Sequence, residues 1–233
     1  GYFVYFDPAS STIDLTGTFN RGPQNIPLTY NLSEMAGEND GWNLVANPFP
    51  SAIDWDSNGI TKVGLASAVY VYNPSSGQYS SYVNGISVGP LDGLIASGQA
   101  FWVKAIADNP SLIIDETAKS DNQGVHLRST DFNTSATIRL ALESTNRSDE
   151  VVFGFNDDCS ADFDKDYDAF KFYPSSTNTP SLAIYPNGFD TAPYVVSMSQ
   201  FPSEMFQLPL EVKRGNQTQF TLSLVEVDAD NEL

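Results

Sequence analysis

Thr137-Ile138-Arg139-Leu140-Ala141-Leu142-Glu143 places Ile138, Leu140 and Leu142 at every second position. Phe220-Thr221-Leu222-Ser223-Leu224-Val225-Glu226-Val227 begins the same way, with Phe220, Leu222 and Leu224. A period of two sends alternate side chains to opposite faces, so each stretch predicts a strand with one face against a core. Around them, 14 Pro and 16 Gly interrupt the 233-residue chain. Few intervals could hold a helix of the usual ~11–12 residues. Short strands with turn signals at ~8–12-residue spacing predict an all-β chain of sandwich or barrel type. Aromatic residues reach 12%, including 15 Phe and 11 Tyr, which separates the chain from a disordered one and supplies apolar area for cores.

Strands are expected in the first half at 2–6, 12–18, 42–46, 68–72, 78–83, 98–105 and 111–114. In the second half they are expected at 136–143, 150–155, 169–173, 182–185, 194–198, 207–212 and 219–227. Asn73-Pro74-Ser75-Ser76-Gly77 sits between two of them. Pro presets φ at a turn's second position and Gly accepts the left-handed conformation, so 68–83 predicts a hairpin. Residues 117–124 are polar and aperiodic. The expected organisation is two consecutive antiparallel β-sandwich modules of jelly-roll type, 1–118 and 127–233, with a linker at 119–126. Each half is large enough for a modest core of its own.

Charge narrows the function. Lys and Arg number 11 against 29 Asp and Glu, for a net charge of −18. Nucleic acid and anionic membranes both require a basic face, so neither is an expected partner. No apolar run approaches the ~20 residues of a membrane span. Cys159 and His126 are the sole Cys and His, which excludes an internal disulfide and any multi-His or multi-Cys metal centre. Phe220–Val227 has the character of a long central strand, yet only 228–233 follow it. An unpaired sheet edge is therefore expected, and such edges recruit strands from other chains. Gly1-Tyr2-Phe3-Val4-Tyr5-Phe6 opens directly on a strand. Both ends are expected to be cut from a longer polypeptide, with the second module incomplete at its C-terminal end.

Three longer motifs stand out in the first half: Gly41-Trp42-Asn43-Leu44-Val45-Ala46-Asn47-Pro48-Phe49-Pro50-Ser51-Ala52-Ile53-Asp54-Trp55-Asp56, then Ala68-Val69-Tyr70-Val71-Tyr72-Asn73-Pro74 with Gly77-Gln78-Tyr79, and Ile95-Ala96-Ser97-Gly98-Gln99-Ala100-Phe101-Trp102-Val103-Lys104-Ala105. Together they resemble a module of large secreted and surface proteins of Bacteroidota exported by the type IX secretion system. Glu150-Val151-Val152-Phe153-Gly154-Phe155 and Phe163-Asp164-Lys165-Asp166-Tyr167-Asp168-Ala169-Phe170-Lys171-Phe172 resemble the segment that follows it there. The resemblance implies an extracellular or outer-surface location and a further strand-rich stretch with a sorting domain beyond this segment. It implies no catalytic residue. Independently of it, Asn47-Pro48-Phe49-Pro50 cannot be helical and predicts a rigid corner. Trp42, Phe49, Trp55, Phe101 and Trp102 are candidates to pack around it.

Two candidate sites and one modification follow from residue types. Asp157, Asp158, Asp162, Asp164, Asp166 and Asp168 form an acidic cluster. If 162–168 were extended, its carboxylates would stand ~6.8 Å apart on one face and repel by ~0.6 kcal/mol per pair in water. Calcium, which takes many oxygens in irregular geometry, is the candidate ion. The segment is not an EF-hand, because Ala169 stands where the turn glycine belongs. Tyr70, Tyr72, Tyr79 and Tyr82 are the second candidate, an aromatic platform that could stack on sugar rings of a polysaccharide. Asp190-Thr191-Ala192 makes Thr191 a candidate for O-glycosylation. Enzyme chemistry is not expected: His126 has no partner motif, and acidic neighbours raise the Cys159 thiol. The leading expectation is a non-catalytic structural or adhesive module that meets other copies or neighbouring domains through an open edge. A carbohydrate-binding accessory module of a larger secreted hydrolase, and a simple spacer, are the alternatives.

Overall fold

The computed structural model describes residues 16–30, 40–121, 135–176, 178–189, 191–203, 205 and 207–228. Among them there is no α-helix, only the 3-10 turn Glu116–Ala118, and no helix long and apolar enough to cross a membrane. The chain is all-β and built from several sheets, mostly antiparallel, consistent with sandwich packing. The expected strand at 2–6 and most of 12–18 lie outside the described residues; 16–18 is not strand.

The first half centres on a five-stranded sheet in the order Trp42–Ala46, Ala100–Lys104, Val69–Asn73, Gln78–Val83, Ile86–Val88. Its hairpin forms as the sequence predicts. Gly77 donates to the Asn73 carbonyl at 2.9 Å with φ of 76°, and Tyr72 stands opposite Tyr79. A second turn, Asn84-Gly85, has positive φ at both residues, which matches the right-handed twist of the strands it joins. Two three-stranded sheets complete this half. One joins Gln24–Pro27, Ser111–Ile114 and Ile60–Val63, and the other Lys119–Ser120, Ala52–Asp54 and Leu94–Ile95. Lys119 and Ser120 were expected in the linker. They pair instead with Ile53 and Ala52, so the sheet holds the chain past 118. Residues 122–126 of the expected linker lie outside the described residues.

The second half forms one seven-stranded sheet. Its path runs Leu210–Lys213, Ser181–Ile184, Tyr194–Ser199, Ser148–Asn156, Ser135–Glu143, Thr221–Asp228, and Ala169–Phe170 pairs with Tyr194–Ser199 off that path. One contact departs from the antiparallel expectation: Ser148–Asn156 and Tyr194–Ser199 run parallel, Val152 opposite Val196. A parallel pair needs a long crossover, and the acidic segment and the strand Ser181–Ile184 lie within it.

Alternation puts the two faces of the five-stranded sheet into different cores. Val45, Val69, Tyr82, Phe101 and Val103 join Phe49, Trp55 and Ile95 in a core built wholly from the first half. Asn47 pins the predicted corner there. Its amide donates to the carbonyls of Ser51, Ile95 and Ala96 and accepts from the Phe49 N–H. Trp42 and Trp102 face the opposite way, so the five candidate aromatics divide between two cores. On that side Ala68, Tyr70, Val83, Ile86 and Val88 share one core with Leu142, Val151, Val152, Leu182, Val196 and others of the second half.

Phe172, half-buried, packs against the shared core and links the two halves. Its ring stacks on Trp42 at 4.0 Å and on Tyr79 at 4.3 Å, and meets Trp102 edge-on at 5.1 Å and Tyr70 at 6.3 Å. The Tyr70 hydroxyl donates to the Phe170 carbonyl at 2.9 Å, and burial pushes that hydroxyl's pKa far up. Around this plug, Ser67 N–H donates to the Lys165 carbonyl, Gln78 Nε2 to Ser181 Oγ, Arg139 Nη1 to the Ser87 carbonyl and Arg147 Nη1 to the Pro74 carbonyl. The halves thus keep separate sheets but close on a common core. Phe172→Ala is expected to cost about 2–4 kcal/mol in urea unfolding followed by tryptophan fluorescence, with Phe172→Leu recovering part of it. A loss below about 0.5 kcal/mol, the level of a surface change, would mean that the halves are held elsewhere.

Candidate functional site

The acidic segment is a turn rather than an extended strand. Asp164 Oδ1 accepts from the Asp166 N–H at 3.1 Å, and the Asp164 carbonyl accepts from the Asp168 N–H at 2.8 Å. Asp side chains bond readily to the backbone two residues on, which bends 164–168 and removes the single carboxylate face that alternation implied. Asp168 is buried and its two oxygens accept from the Asp164 and Met198 N–H groups, each at 2.8 Å. Asp166 accepts from Ser67 Oγ at 2.6 Å and from Lys165 at 2.7 Å. Asp157, Asp158 and Asp162 are exposed, and the Asp158 N–H donates to Asn156 Oδ1. Among the described residues, no three His, Cys, Asp or Glu side chains converge as a metal site. The single extended carboxylate face on which the calcium expectation rests is thus replaced by a turn.

Asp168 is the titrating member of the segment. Burial pushes its carboxyl up to about 6, outweighing the two N–H donors that favour the charged form. A carboxyl raised in the folded state is protonated there while already ionised in the unfolded chain. Its contribution to stability is thus full below about 4 and is lost as pH rises to about 6.

The four tyrosines do not form one platform. Tyr70 and Tyr82 are buried, and Tyr82 lies three positions after Tyr79, an odd offset that sends them to opposite faces. Tyr82 packs in the first-half core and its hydroxyl donates outward to the exposed Asp56; burial raises that hydroxyl's pKa. Tyr70 and Tyr79 close on Phe172, and Tyr72 alone of the four is exposed, at 38%, its ring against Tyr79. A sugar could stack on at most that one ring. Cys159 is buried, and burial together with Asp164, Asp168 and Asp158 pushes its thiol up to about 12, so it is no nucleophile. Thr191 is exposed in a turn, where its hydroxyl donates to the Gly188 carbonyl at 2.8 Å. His126 lies outside the described residues.

A buried ion pair went unread in the sequence. Asp149 accepts from Lys171 Nζ and from the Leu182 N–H at 2.6 Å, with both charged side chains only 2% exposed. Burial pushes the Asp149 carboxyl up, and the ammonium and amides pull it back. It lies at the floor of a polar cleft of about 340 Å³ between the halves, lined also by Ser76, Gln78, Ser80 and Glu150. The pair needs both partners, since either charge alone in that setting is strongly disfavoured.

The outermost strand of the large sheet is the most exposed apolar element. Thr221–Asp228 pairs on one side with Ser135–Glu143, and no other described strand pairs with it. Its apolar character is that of a central strand with an unpaired edge beside it, and among the described residues it is the outermost strand of the sheet. Leu222, Leu224 and Val227 stand opposite Leu142, Leu140 and Ile138, so they share the face that reaches the common core at Leu142. Val225 is an extra residue, a bulge between Arg139 and Leu140, and it returns Val227 to the face of Leu222 and Leu224. Leu222 is 47% exposed, Leu224 61% and Val227 59%. Arg139 fastens the strand: Nε meets Glu226 at 3.2 Å and Nη1 meets Glu150 at 3.3 Å. The opposite edge, Leu210–Lys213, is short and carries Glu211 and Lys213, the charges that discourage edge pairing.

Compared with known proteins, the chain matches no family model, no curated protein and no solved structure.

Two solution results follow. The melting temperature is expected to be the same in millimolar calcium and in excess chelator; a rise with calcium would show that the exposed carboxylates gather around an ion. Asp168→Asn keeps the acceptor for Met198 but turns an amide donor toward the Asp164 N–H. The stability difference between wild type and this variant, from urea unfolding, should shrink by about 2 kcal/mol between pH 4 and pH 7. A difference independent of pH would mean that Asp168 does not titrate in this range.

Proposed function

We propose that this chain is a non-catalytic structural or adhesive module of an extracellular or cell-surface protein, and that it acts by accepting a strand at the Thr221–Asp228 edge. The observation that carries the reading is the exposure of Leu222, Leu224 and Val227 on the face that continues the core, on a strand whose outer side no other strand among the described residues pairs. Soluble chains usually blunt such edges with charge, as Leu210–Lys213 does here. An added strand would complete the ladder through main-chain bonds and shield the apolar row. The resemblance of the Asn47-Pro48-Phe49-Pro50 and Gly98-Gln99-Ala100-Phe101-Trp102 motifs to modules of secreted Bacteroidota proteins supports an extracellular setting. The carbohydrate-binding alternative called for exposed, coplanar tyrosines, and Tyr70 and Tyr82 are buried.

Hydrogen exchange on the full chain tests the reading. The amides of Thr221–Asp228 that face away from Ser135–Glu143 should exchange fast in dilute protein. They should slow when an excess of a synthetic alternating Val-Thr peptide is added. In the double variant Leu224→Lys and Val227→Lys they should stay fast. Both side chains are exposed, so the variant's stability should stay within about 0.5 kcal/mol of wild type. An absence of protection in the wild type would sink the open-edge reading.

A further inference from the structure

We propose that Thr221–Asp228 pairs with the same strand of a second copy, antiparallel, with Leu222 of each copy opposite Val227 of the other, closing a two-fold dimer. The proposal rests on the open-edge reading above and names the partner that fills the edge.

The register follows from chemistry and from faces. With Leu222 opposite Val227, Thr221 meets Asp228, Ser223 meets Glu226 and Leu224 meets Val225. Every carboxylate then faces a hydroxyl and every apolar side chain faces another, which are favourable cross-strand pairs. A slip of one residue either way sets Leu222 against Glu226 or against Asp228. Faces give a second, independent condition. A two-fold axis normal to a sheet preserves its faces, so directly opposed residues must come from the same face. In a regular strand Leu222 and Val227, five residues apart, would point to opposite faces and could not oppose each other. The bulge at Val225 removes that conflict. Leu222 and Val227 both lie on the face of Leu142 and Ile138, while Thr221, Ser223, Glu226 and Asp228 oppose Glu143, Ala141, Arg139 and Thr137 on the other. The irregularity that spoils the strand's period is thus the feature that makes the strand complementary to itself.

The charge on the chain does not defeat this contact. Within the strand the acidic residues are Glu226 and Asp228, and Glu226 is already paired with Arg139. The proposed register sets neither carboxylate opposite its own copy. Because each copy presents the same edge, the contact is used up at two copies and the assembly closes. A fibre would instead need the charged edge at Leu210–Lys213 to receive the apolar one, which offers no matching row of side chains.

Light scattering coupled to size exclusion over a dilution series should move the wild type from 25.4 kDa toward twice that mass and no further. Leu224→Lys should remain at one-chain mass with an unchanged circular dichroism spectrum. Cysteine placement reads the register without relying on that variant. Leu222→Cys protein mixed with Val227→Cys protein should form a disulfide-linked pair under mild oxidation. Leu222→Cys protein alone should not, since with the bulge its two thiols would stand about 14 Å apart along the seam. The native Cys159 is buried and gives little background. A masses series growing beyond two copies would overturn the closed dimer. A wild type that stays at one-chain mass, while the Val-Thr peptide still protects the edge amides, would overturn the second copy as partner and leave the open edge standing. One-chain mass together with no peptide protection would overturn both. Cross-linking of Leu222→Cys protein by itself would overturn the register.

Discussion

Phe172 stands among Trp42, Tyr70, Tyr79 and Trp102, a ring from one half of the chain enclosed by four from the other. Large aromatic rings remove much apolar area from water, and the mix of stacked and edge-on contacts suits their quadrupoles. The enclosure is possible because the five-stranded sheet is apolar on both faces. One face packs on its own half, and the other, with Trp42 and Trp102, offers the wall on which the second half closes. The rest of the junction depends on that closure. Tyr70 reaches the Phe170 carbonyl, and Gln78 reaches Ser181, only when the halves are together.

The same closure decides which part of the surface is left for other molecules. It buries Tyr70 and sets one face of Tyr79 against Phe172, and the turn of the acidic segment commits Asp166 and Asp168 to Ser67, Lys165 and two backbone amides. The large sheet meets the first half near Leu142 and Val151, and its last strand runs beyond that cover. The core face therefore continues into solvent at Leu222, Leu224 and Val227. Arg139 keeps this strand in register by reaching Glu226, Glu150 and the Ser87 carbonyl at once.

Much of the strand map was legible because alternation and turn residues are local signals. The expected strands at 42–46, 78–83 and 111–114 coincide with Trp42–Ala46, Gln78–Val83 and Ser111–Ile114. The hairpin around Pro74 formed as its turn residues require. Ile86–Val88 was passed over although Asn84-Gly85 is a strong hairpin signal, since three residues are too few to show a period. Ile60–Val63, Ala52–Asp54 and Leu94–Ile95 are short and owe their extended state to the neighbours they pair with. The candidate sites were less legible. A spacing of two residues among Asp162, Asp164, Asp166 and Asp168 suggests a face only if the backbone is extended, and the side chains themselves bend it.

By itself, the sequence determined the all-β class, the hairpin and the corner at Asn47-Pro48-Phe49-Pro50. Those features depend on φ restrictions and on alternation, both of which are written residue by residue. Only the tertiary structure decided which face of the five-stranded sheet met which core, that Tyr70 and Tyr82 were buried on opposite sides, and that Asp149 found Lys171. It also decided that Thr221–Asp228 carries a bulge at Val225 that restores one face. Each of these depends on contacts between residues far apart in the chain, and no local pattern carries the identity of the partner.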